Sequence, residues 1–343
     1  MMPVFMIGTQ RSGSNLLRLM INQLPEVAAP HPPHILQRMM PLLPLYGDLS
    51  EPRVFYQLVD DVCRLVELNP VPWEGVTLNR NDVASRCWEQ NLVAIHGAVY
   101  DICAEAKGAK TWCCKSLANI KYVKEIEAYF KKPKYIYLFR DGRDVAVSFR
   151  KAVVGEKHFY HIAREWAATQ EIALKLRSQI DPSRFLNVRY EDLTADTESV
   201  ARSICTFLGL ASCPLELMLD YYETDEARRA AKASDLWGNV TKAVMKDNTR
   251  KFMRQTSVED IRVFESVAGP VLDALGYERV VVRKGEETKF TEQELSAFDA
   301  ENKRLKEEIL KTVDQADQER RDRQAGLLKE IRARQESQAS LSK

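Results

Sequence analysis

The sequence predicts an α/β fold of three layers, in which a central parallel sheet lies between two layers of helices. Three short apolar runs, at 4–8, 134–139 and 185–190, are typical of buried strands. Each run is followed by a turn and then by a segment with helical spacing of apolar residues. Strands that alternate with helices imply right-handed crossovers and a parallel sheet. Ligands of such sheets bind beyond the carboxyl ends of the strands, so we expect the functional site there.

The first strand leads into a loop with the character of an anion site. Residues 8–15 read Gly-Thr-Gln-Arg-Ser-Gly-Ser-Asn and lie directly before a helix that Pro25 ends. The N–H groups and the dipole of a helix N-terminus attract anions. Arg11 adds a permanent charge with a forked donor suited to phosphate, and Gly13 lets the backbone approach an oxyanion closely. The short polar donors of the loop are Ser12, Ser14 and Asn15.

Two other interpretations of this loop remain open. Between Gly8 and Gly13 it has the GxxxxG spacing of an ATP-binding loop. Ser14, however, occupies the position at which such loops carry the lysine for the β- and γ-phosphates. The missing lysine weakens the interpretation as a nucleotide-dependent kinase. A serine- and glycine-rich turn that only caps the helix is the second alternative.

The other two strand ends also carry polar residues. Arg140 directly follows the second apolar run, and Ser148 lies eight residues later in the next helical segment. Tyr190 closes the third run and precedes the acidic pair 191–192. Because the carboxyl ends of parallel strands meet at one edge of a sheet, we expect these side chains to lie near the loop of the first strand.

Together these elements resemble the sulfotransferase family over residues 3–280. The family's 5'-phosphosulfate loop, 3'-phosphate segment and third strand-end element are similar, in that order, to residues 10–17, 137–149 and 187–192. The resemblance implies a P-loop NTPase-like fold and, as sulfuryl donor, 3'-phosphoadenosine 5'-phosphosulfate (PAPS), whose product is adenosine 3',5'-bisphosphate. It also implies that Arg140 and Ser148 bind the 3'-phosphate and that Tyr190 lies near the adenine.

A nucleotide with phosphates at both ends of its ribose needs two separate anion sites. The loop at 11–15 and the strand end at Arg140 supply two, whereas an NTPase needs a single triphosphate cradle. The family completes its 3'-phosphate site with a basic segment that resembles residues 236–252, although the usual Arg-Lys-Gly triplet is absent. The candidates there are Lys242, Arg250 and Lys251.

The transfer step requires a cation, fixed donors and a base. In the family, a lysine followed by serine or threonine assists the transferring sulfuryl group, and Lys115 with the serine after it resembles that pair. The alternative is that Lys115 is a surface lysine before a helix. Many cytosolic members place a histidine two residues after this lysine, where this chain has Leu117. Other members place the base in the loop after the first helix, which favours His31 here, with His34 as the alternate. Imidazole suits a base near neutral pH, and we expect Arg11 to assist the transfer.

The composition changes near residue 284, which predicts a domain at 1–283 and a helical tail at 284–343. The tail is densely charged and contains no proline. Two interpretations remain open: a solvated helix packed on the domain, or a short coiled coil that forms a homodimer with Asn302 at a core position. The heptad seam would consist of Phe298, Leu305, Ile309, Thr312 and Ala316.

Composition also bounds partners and location. A formal net charge of +1 gives no argument for binding nucleic acid or a membrane surface. The apolar run at 3–8 is too short for a membrane span or a signal core, and no other stretch approaches twenty apolar residues. Seven cysteines without a CxxC pair or a zinc-like cluster favour reduced thiols, so we expect a cytoplasmic protein without a metal site.

The sequence therefore favours a PAPS-dependent sulfotransferase that acts on a hydroxyl or amine of a small-molecule or carbohydrate acceptor. A kinase of related topology is the second hypothesis, and it would bind nucleotide with magnesium. A non-catalytic module that keeps the fold and acts through its tail is the third, and it would bind the donor without transfer to any acceptor.

Overall fold

The predicted parallel sheet is present and has five strands. A computed structural model describes residues 1–233, 235–246, 248–313 and 315–341, and the side chains of these residues other than 233, 235, 236, 317, 321 and 335–341. The strands are β1 Met2–Gly8, β2 Val27–Ala28, β3 Thr111–Cys114, β4 Lys134–Phe139 and β5 Phe185–Arg189. All pairs are parallel, and the spatial order is β2-β3-β1-β4-β5. The three-layer prediction is confirmed.

Helices cover both faces of this sheet. In chain order they are α1 Ser14–Asn22, α2 Ile35–Met39, α3 Pro52–Glu67, α4 Arg80–Ser85, α5 Leu92–Lys107, α6 Val123–Tyr129, α7 Gly142–Arg150, α8 Phe159–Gln179, α9 Tyr190–Ala195, α10 Thr197–Leu208, α11 Leu215–Leu219, α12 Asp225–Ala233, α13 Phe252–Gln255, α14 Val258–Ala274, α15 Glu292–Leu310 and α16 Gln315–Leu341. Short 3₁₀ helices lie at Met40–Leu45, Leu117–Tyr122, Pro182–Arg184, Tyr221–Glu223 and Asp235–Thr241.

The two faces of the sheet support two separate cores. Phe5 pairs in register with Tyr135, and both side chains are fully buried beneath α5 and α8. Val4 and Ile136 point to the opposite face, where α1 and α10 cover them. Successive residues of a strand face opposite sides, so a sheet buried on both faces reads as a continuous apolar run. Each buried large side chain contributes about 1.5–3 kcal/mol to this packing.

The end of β1 must be glycine because β4 passes against it. A Cβ atom on Gly8 would lie 2.1 Å from the carbonyl oxygen of Leu138. The φ angle of Gly8 is +139°, which side chains rarely adopt. Gly8 thus lets the chain turn from β1 into the following loop at the carboxyl edge of the sheet.

Two strands were not predicted from the sequence. β2 has only two residues, and β3 has four, two of which are the cysteines 113 and 114. β3 pairs with β1 and ends directly before Lys115. The third predicted strand is one residue shorter than expected, because Tyr190 begins α9.

The cysteines differ from expectation. Cys205 of α10 and Cys213 form a disulfide, so the prediction of reduced thiols throughout is wrong. The neighbours Cys113 and Cys114 are free thiols, and both are buried.

Helices α15 and α16, which we call the C-terminal strap, pack on the rest of the chain. The Asn302 side-chain oxygen accepts hydrogen bonds from the N–H groups of Lys157 and His158, at 2.8 and 3.0 Å. Gln324 donates to the carbonyl of Leu65 at 2.9 Å. Ile331 is fully buried in the core beneath α5. Asn302 is therefore engaged within the chain, and these contacts give the coiled-coil homodimer no support.

Among the helices of the described residues, none combines the length and the apolar character that a membrane crossing requires.

Candidate active site

A cavity of about 440 Å³ lies at the carboxyl edge of the sheet. It gathers side chains from the ends of β1, β4 and β5, as expected for a parallel α/β sheet. Eight of the residues singled out in the sequence line it: Arg11, Gly13, Ser14, Asn15, Arg140, Ser148, Tyr190 and Lys251.

Gly13 shapes one wall of this cavity. It precedes α1 with φ of 88°, and a Cβ atom there would lie 2.4 Å from the ring of Tyr190. Glycine therefore allows the loop after β1 and the end of β5 to meet. As the N-cap of α1, Gly13 offers no side-chain cap to the first N–H groups of the helix, which have no intrahelical partners. The cavity thus borders a helix N-terminus suited to an anion.

Arg140 lies at the end of β4 and is 5% exposed. Its guanidinium donates to the carbonyls of Arg11 and Asn248 at 3.3 and 2.6 Å, and it lies 4.4 Å from the centroid of the Tyr190 ring. The Asn248 amide in turn donates to the Tyr190 hydroxyl at 2.5 Å. Nε of Arg140 is buried without a hydrogen-bond partner in the described part of the chain. A buried cationic donor left without a partner fits a site that receives an anion.

Arg11 links the loop after β1 to helix α7. It has φ of 67°, and its Nε donates to the Ser148 hydroxyl at 3.0 Å. Burial, followed by the charge of Arg140, lowers the pKa of Arg11. Two guanidinium groups in one buried cavity repel each other, and a bound anion would relieve this repulsion.

Lys115 lies on the other side of β1, at the end of β3, and is 9% exposed. Burial, followed by the charges of Arg18 and Arg11, lowers its pKa to about 7. This is the kind of shift that a buried ammonium undergoes among other cations. The alternative of a surface lysine is wrong, because the Lys115 side chain is buried.

His31 is buried in the loop after β2. Its Nδ1 lies 3.3 Å from the Asn69 side-chain oxygen, and its ring meets the Trp237 ring edge-on, with centroids 4.6 Å apart. Its Nε2 is buried, and no partner for it exists among the residues described. Burial, followed by the charges of Arg18, Lys115 and His34, lowers the pKa of His31 well below its usual value, so the ring is neutral near pH 7.

His34 lies one turn further along, at the N-cap of α2, with φ of 59°. Its Nδ1 is 3.2 Å from the hydroxyl of Ser116. Burial, followed by the charges of Lys115 and Arg38, lowers its pKa well below the usual value. Both histidines thus neighbour Lys115, which the sequence alone could not establish.

The predicted residues that do not line the first cavity are Ser12, Lys242 and the candidate Arg250 of the nucleotide site, and Lys115, His31 and His34 of the transfer step. Lys242 is exposed and is not among the residues that line the cavity, although its backbone carbonyl accepts a hydrogen bond from the Tyr221 hydroxyl at 2.7 Å. Ser12 is fully buried, and its side chain is not among those that line the cavity.

Several cavity residues were not predicted. Asn248 lies within the basic segment at 236–252, but it was not singled out there, because nothing in the pattern distinguishes it from an ordinary loop residue. The strap also contributes to the cavity wall with residues that the heptad pattern had placed in or beside a seam: Ile309, Thr312 and Val313.

His31 also lines a second cavity of about 240 Å³ beside the edge strand β2. Its other walls include Trp73, Lys107, Glu226 and Arg229. His31 contacts Trp237, which lines the first cavity, so the two rings lie between the two cavities.

Comparison with known proteins identifies the class. Residues 3–214 match the model of the Sulfotransferase family, and the chain belongs to that family of transferases. Two solved structures share the fold: the sulfotransferase domain of the Synechococcus PCC 7002 olefin synthase, with a TM-score of 0.52 and 22% identity over 78% of this chain and 94% of that one, and the sulfotransferase domain of the curacin biosynthetic pathway, with a TM-score of 0.53 and 20% identity over 81% and 99%.

Curated proteins with similarity to the chain include protein-tyrosine sulfotransferases. The chain is 25% identical to protein-tyrosine sulfotransferase 2 of Gallus gallus over 61% of this chain and 51% of that protein. It is 23% identical to protein-tyrosine sulfotransferase A of Caenorhabditis elegans, over 80% and 67%. The match thus spans about half the length of the chicken protein.

The prediction of a cytoplasmic location is wrong. That location was expected from the short apolar run at 3–8 and from the cysteines, whereas the curated relatives compared above are protein-tyrosine sulfotransferases. Leu117 already departs from the cytosolic pattern, and the Cys205–Cys213 disulfide removes the argument from reduced thiols.

Proposed function

We propose that the protein transfers a sulfuryl group from PAPS to a hydroxyl acceptor, with a histidine as base. One observation carries the proposal: Arg11 and Arg140, from two different strand ends, converge on one cavity. A doubly phosphorylated nucleotide needs two cationic sites in one cavity. A triphosphate cradle would need the loop lysine that Ser14 replaces.

The residues present fit this donor. Arg140, with its unpartnered Nε, and Ser148 would hold the 3'-phosphate, with Lys251 on the same cavity wall. The loop at 11–15 would hold the 5'-phosphosulfate at the N-terminus of α1. Tyr190 would lie beside the adenine. Lys242 is left out of this proposal because its side chain is exposed.

The bound donor supplies an activated sulfuryl group, and the chain's own residues position and stabilise the reaction. Lys115, as an ammonium, would neutralise charge on the leaving oxygen, the role of a fixed donor in a dry site. Lys115 is close enough to Arg11 for the charge of Arg11 to lower its pKa, and a bound anion would favour the ammonium again. A base must also remove the proton of the acceptor hydroxyl.

His31 fits the role of base better than His34. His31 has a neutral ring with an unpartnered Nε2. It also lines the second cavity, through which an acceptor could approach. His34 is engaged at Nδ1 by Ser116, which ties it to the lysine loop.

The proposed acceptor is a tyrosine hydroxyl of a peptide, in place of the small molecule or carbohydrate expected from the sequence. The names of three curated relatives support this choice. Radiolabelled PAPS and a panel of tyrosine peptides, phenols, carbohydrates and lipids would test it, with label expected on the peptides. Label on carbohydrate alone would contradict the acceptor and leave the reaction class intact.

Substitution of each histidine tests the base. We expect His31→Ala to lower kcat by about 10²–10⁴, the contribution of general-base catalysis, and His34→Ala to lower it less. Binding of adenosine 3',5'-bisphosphate, measured by calorimetry, should survive in both variants. Near-normal turnover in both variants would remove histidine from the mechanism. Tight binding of ATP with magnesium and none of the bisphosphate would instead favour the kinase hypothesis.

A further inference from the structure

Asn69 lies just after α3 and touches His31 in two ways. It is 5% exposed. Its side-chain nitrogen donates to the carbonyls of His31 and Val71, at 2.8 and 3.0 Å. Its side-chain oxygen faces Nδ1 of His31 at 3.3 Å. Both ends of the amide are therefore engaged.

These contacts fix the orientation of the amide. A side-chain amide has two donor hydrogens on nitrogen and acceptor lone pairs on oxygen. If the Asn69 amide were turned over, its oxygen would face two carbonyl oxygens, and both contacts would become repulsive. The oxygen of Asn69 must therefore face the ring of His31.

The orientation of the amide in turn fixes the proton on the ring. An amide oxygen only accepts, so Nδ1 of His31 must carry a hydrogen and donate it. In a neutral imidazole the other nitrogen then has a lone pair. That nitrogen is Nε2, which is buried and meets no hydrogen-bond partner within the described residues.

We infer that Asn69 is a positioning residue that holds neutral His31 in the Nδ1–H tautomer, with Nε2 free to take the proton of the acceptor hydroxyl. This inference rests on the proposed function for its catalytic meaning, whereas the tautomer itself does not. The proton of the hydroxyl would pass to Nε2. The resulting imidazolium would keep its Nδ1–H donated to Asn69.

The neutrality of Asn69 matters for the base. The charged or titratable groups that act on His31 are Arg18, Lys115 and His34, and all three lower its pKa. The hydrogen bond to Asn69 raises that pKa. A carboxylate at position 69 would orient the ring equally well but would add a negative charge and favour the imidazolium. An amide orients the ring while leaving it unprotonated near neutral pH.

Nitrogen NMR of ¹⁵N-histidine-labelled full chain tests the tautomer directly. The His31 signals, assigned by their loss in His31→Gln, should show a protonated Nδ1 and an unprotonated Nε2. In Asn69→Ala this pattern should give way to a mixture of tautomers. A protonated Nε2 in the unaltered protein would overturn the inference, as would an unchanged pattern in Asn69→Ala. Neither reading depends on whether any acceptor is sulfated, so this test is separate from that of the proposed function.

Kinetics test the consequence for the reaction. We expect Asn69→Ala to lower kcat by about 10- to 100-fold, part of what general-base catalysis supplies, with little change in KM for PAPS. At acid pH, kcat/KM falls as the base becomes protonated, and we call this fall the acid limb. In Asn69→Ala the acid limb should move to lower pH, because the hydrogen bond that raises the pKa of His31 is lost. In Asn69→Asp it should move to higher pH, because a carboxylate stabilises the imidazolium.

Trp73→Phe is the matched control. The Trp73 indole donates to the same His31 carbonyl at 2.7 Å but does not bond the ring nitrogens. Trp73→Phe should therefore lower stability without moving the acid limb or the tautomer. If Trp73→Phe shifts the acid limb as far as the Asn69 variants do, Asn69 acts only on the backbone and the inference fails.

Discussion

The two halves of the candidate site differ in how their charge is controlled. The half proposed to bind the nucleotide, called the binding half, comprises Arg11, Arg140 and Tyr190 near the ends of β1, β4 and β5, and Ser148 of α7. The transfer half comprises Lys115, His31 and His34, at the ends of β2 and β3. The binding half uses guanidinium groups, which stay charged at any ordinary pH. The transfer half uses a lysine and two histidines, and burial lowers the pKa of each of them.

This difference follows from the two tasks proposed. Phosphates are anionic throughout the reaction, so permanent cations serve them best. A base must be unprotonated before it can take the proton of the acceptor, so a neutral imidazole serves that task. Burial lowers the pKa of Lys115 to about 7 and those of both histidines well below their usual value.

Removal of Lys115 should affect transfer rather than binding of the nucleotide. We expect Lys115→Ala to lower kcat by about 10²–10³, as loss of one fixed donor does. The affinity for adenosine 3',5'-bisphosphate should change little, since that product lacks the sulfuryl group. Lys110→Ala is the control, because Lys110 is 78% exposed and pairs with Glu26 on the surface. A normal kcat in Lys115→Ala would show that Lys115 does not take part in transfer, and the proposed distinction between the two halves would be wrong.

Removal of Arg140 should affect binding rather than transfer. Arg140→Ala should raise the Kd of adenosine 3',5'-bisphosphate by about 10- to 100-fold, in line with the loss of a hydrogen bond to a charged group. Adenosine 5'-monophosphate, which lacks the 3'-phosphate, should bind the variant and the unaltered protein alike. Calorimetry with both nucleotides checks this. An equal loss for both nucleotides would show that Arg140 does not read the 3'-phosphate.

A change of pH should alter kcat/KM of the unaltered protein gradually, and by less than either substitution does. Lys115 acts as an ammonium, so kcat/KM should fall by up to about tenfold per unit as pH rises above about 7, the pKa of Lys115 in the free protein. The bound anion favours the ammonium, so the fall in kcat should lie at higher pH. Initial rates measured from about pH 5.5 to about pH 9.5 would give the pH dependence of both kcat/KM and kcat. A kcat/KM that rises across pH 7 would exclude Lys115 as the cation.

The binding half could be predicted from sequence better than the transfer half. Most of its residues follow the three strands that read as apolar runs in the sequence, β1, β4 and β5, and the position of Arg140 after β4 follows from that pattern. β3 could not be recognised, because four residues with two cysteines lack a strand signature. The position of Lys115 beside β1 therefore became visible only in three dimensions.

Contacts between distant segments account for the other misses. Asn69 reaches His31 across 38 positions of sequence, and no local pattern marks such a pair. The same apolar spacing serves a helix that packs on its own domain and one that packs on a second copy. The contacts of Asn302, rather than its heptad position, decide between them here.

The C-terminal strap brings the last part of the chain to the candidate site. Its turn at 309–313 forms part of the cavity wall, while Gln324 and Ile331 fasten the following helix beside α3. If the nucleotide product of the proposed reaction leaves past this wall, detachment of α16 would speed its dissociation. An antibody that holds α16 away from α3 would then shorten the residence time of the product.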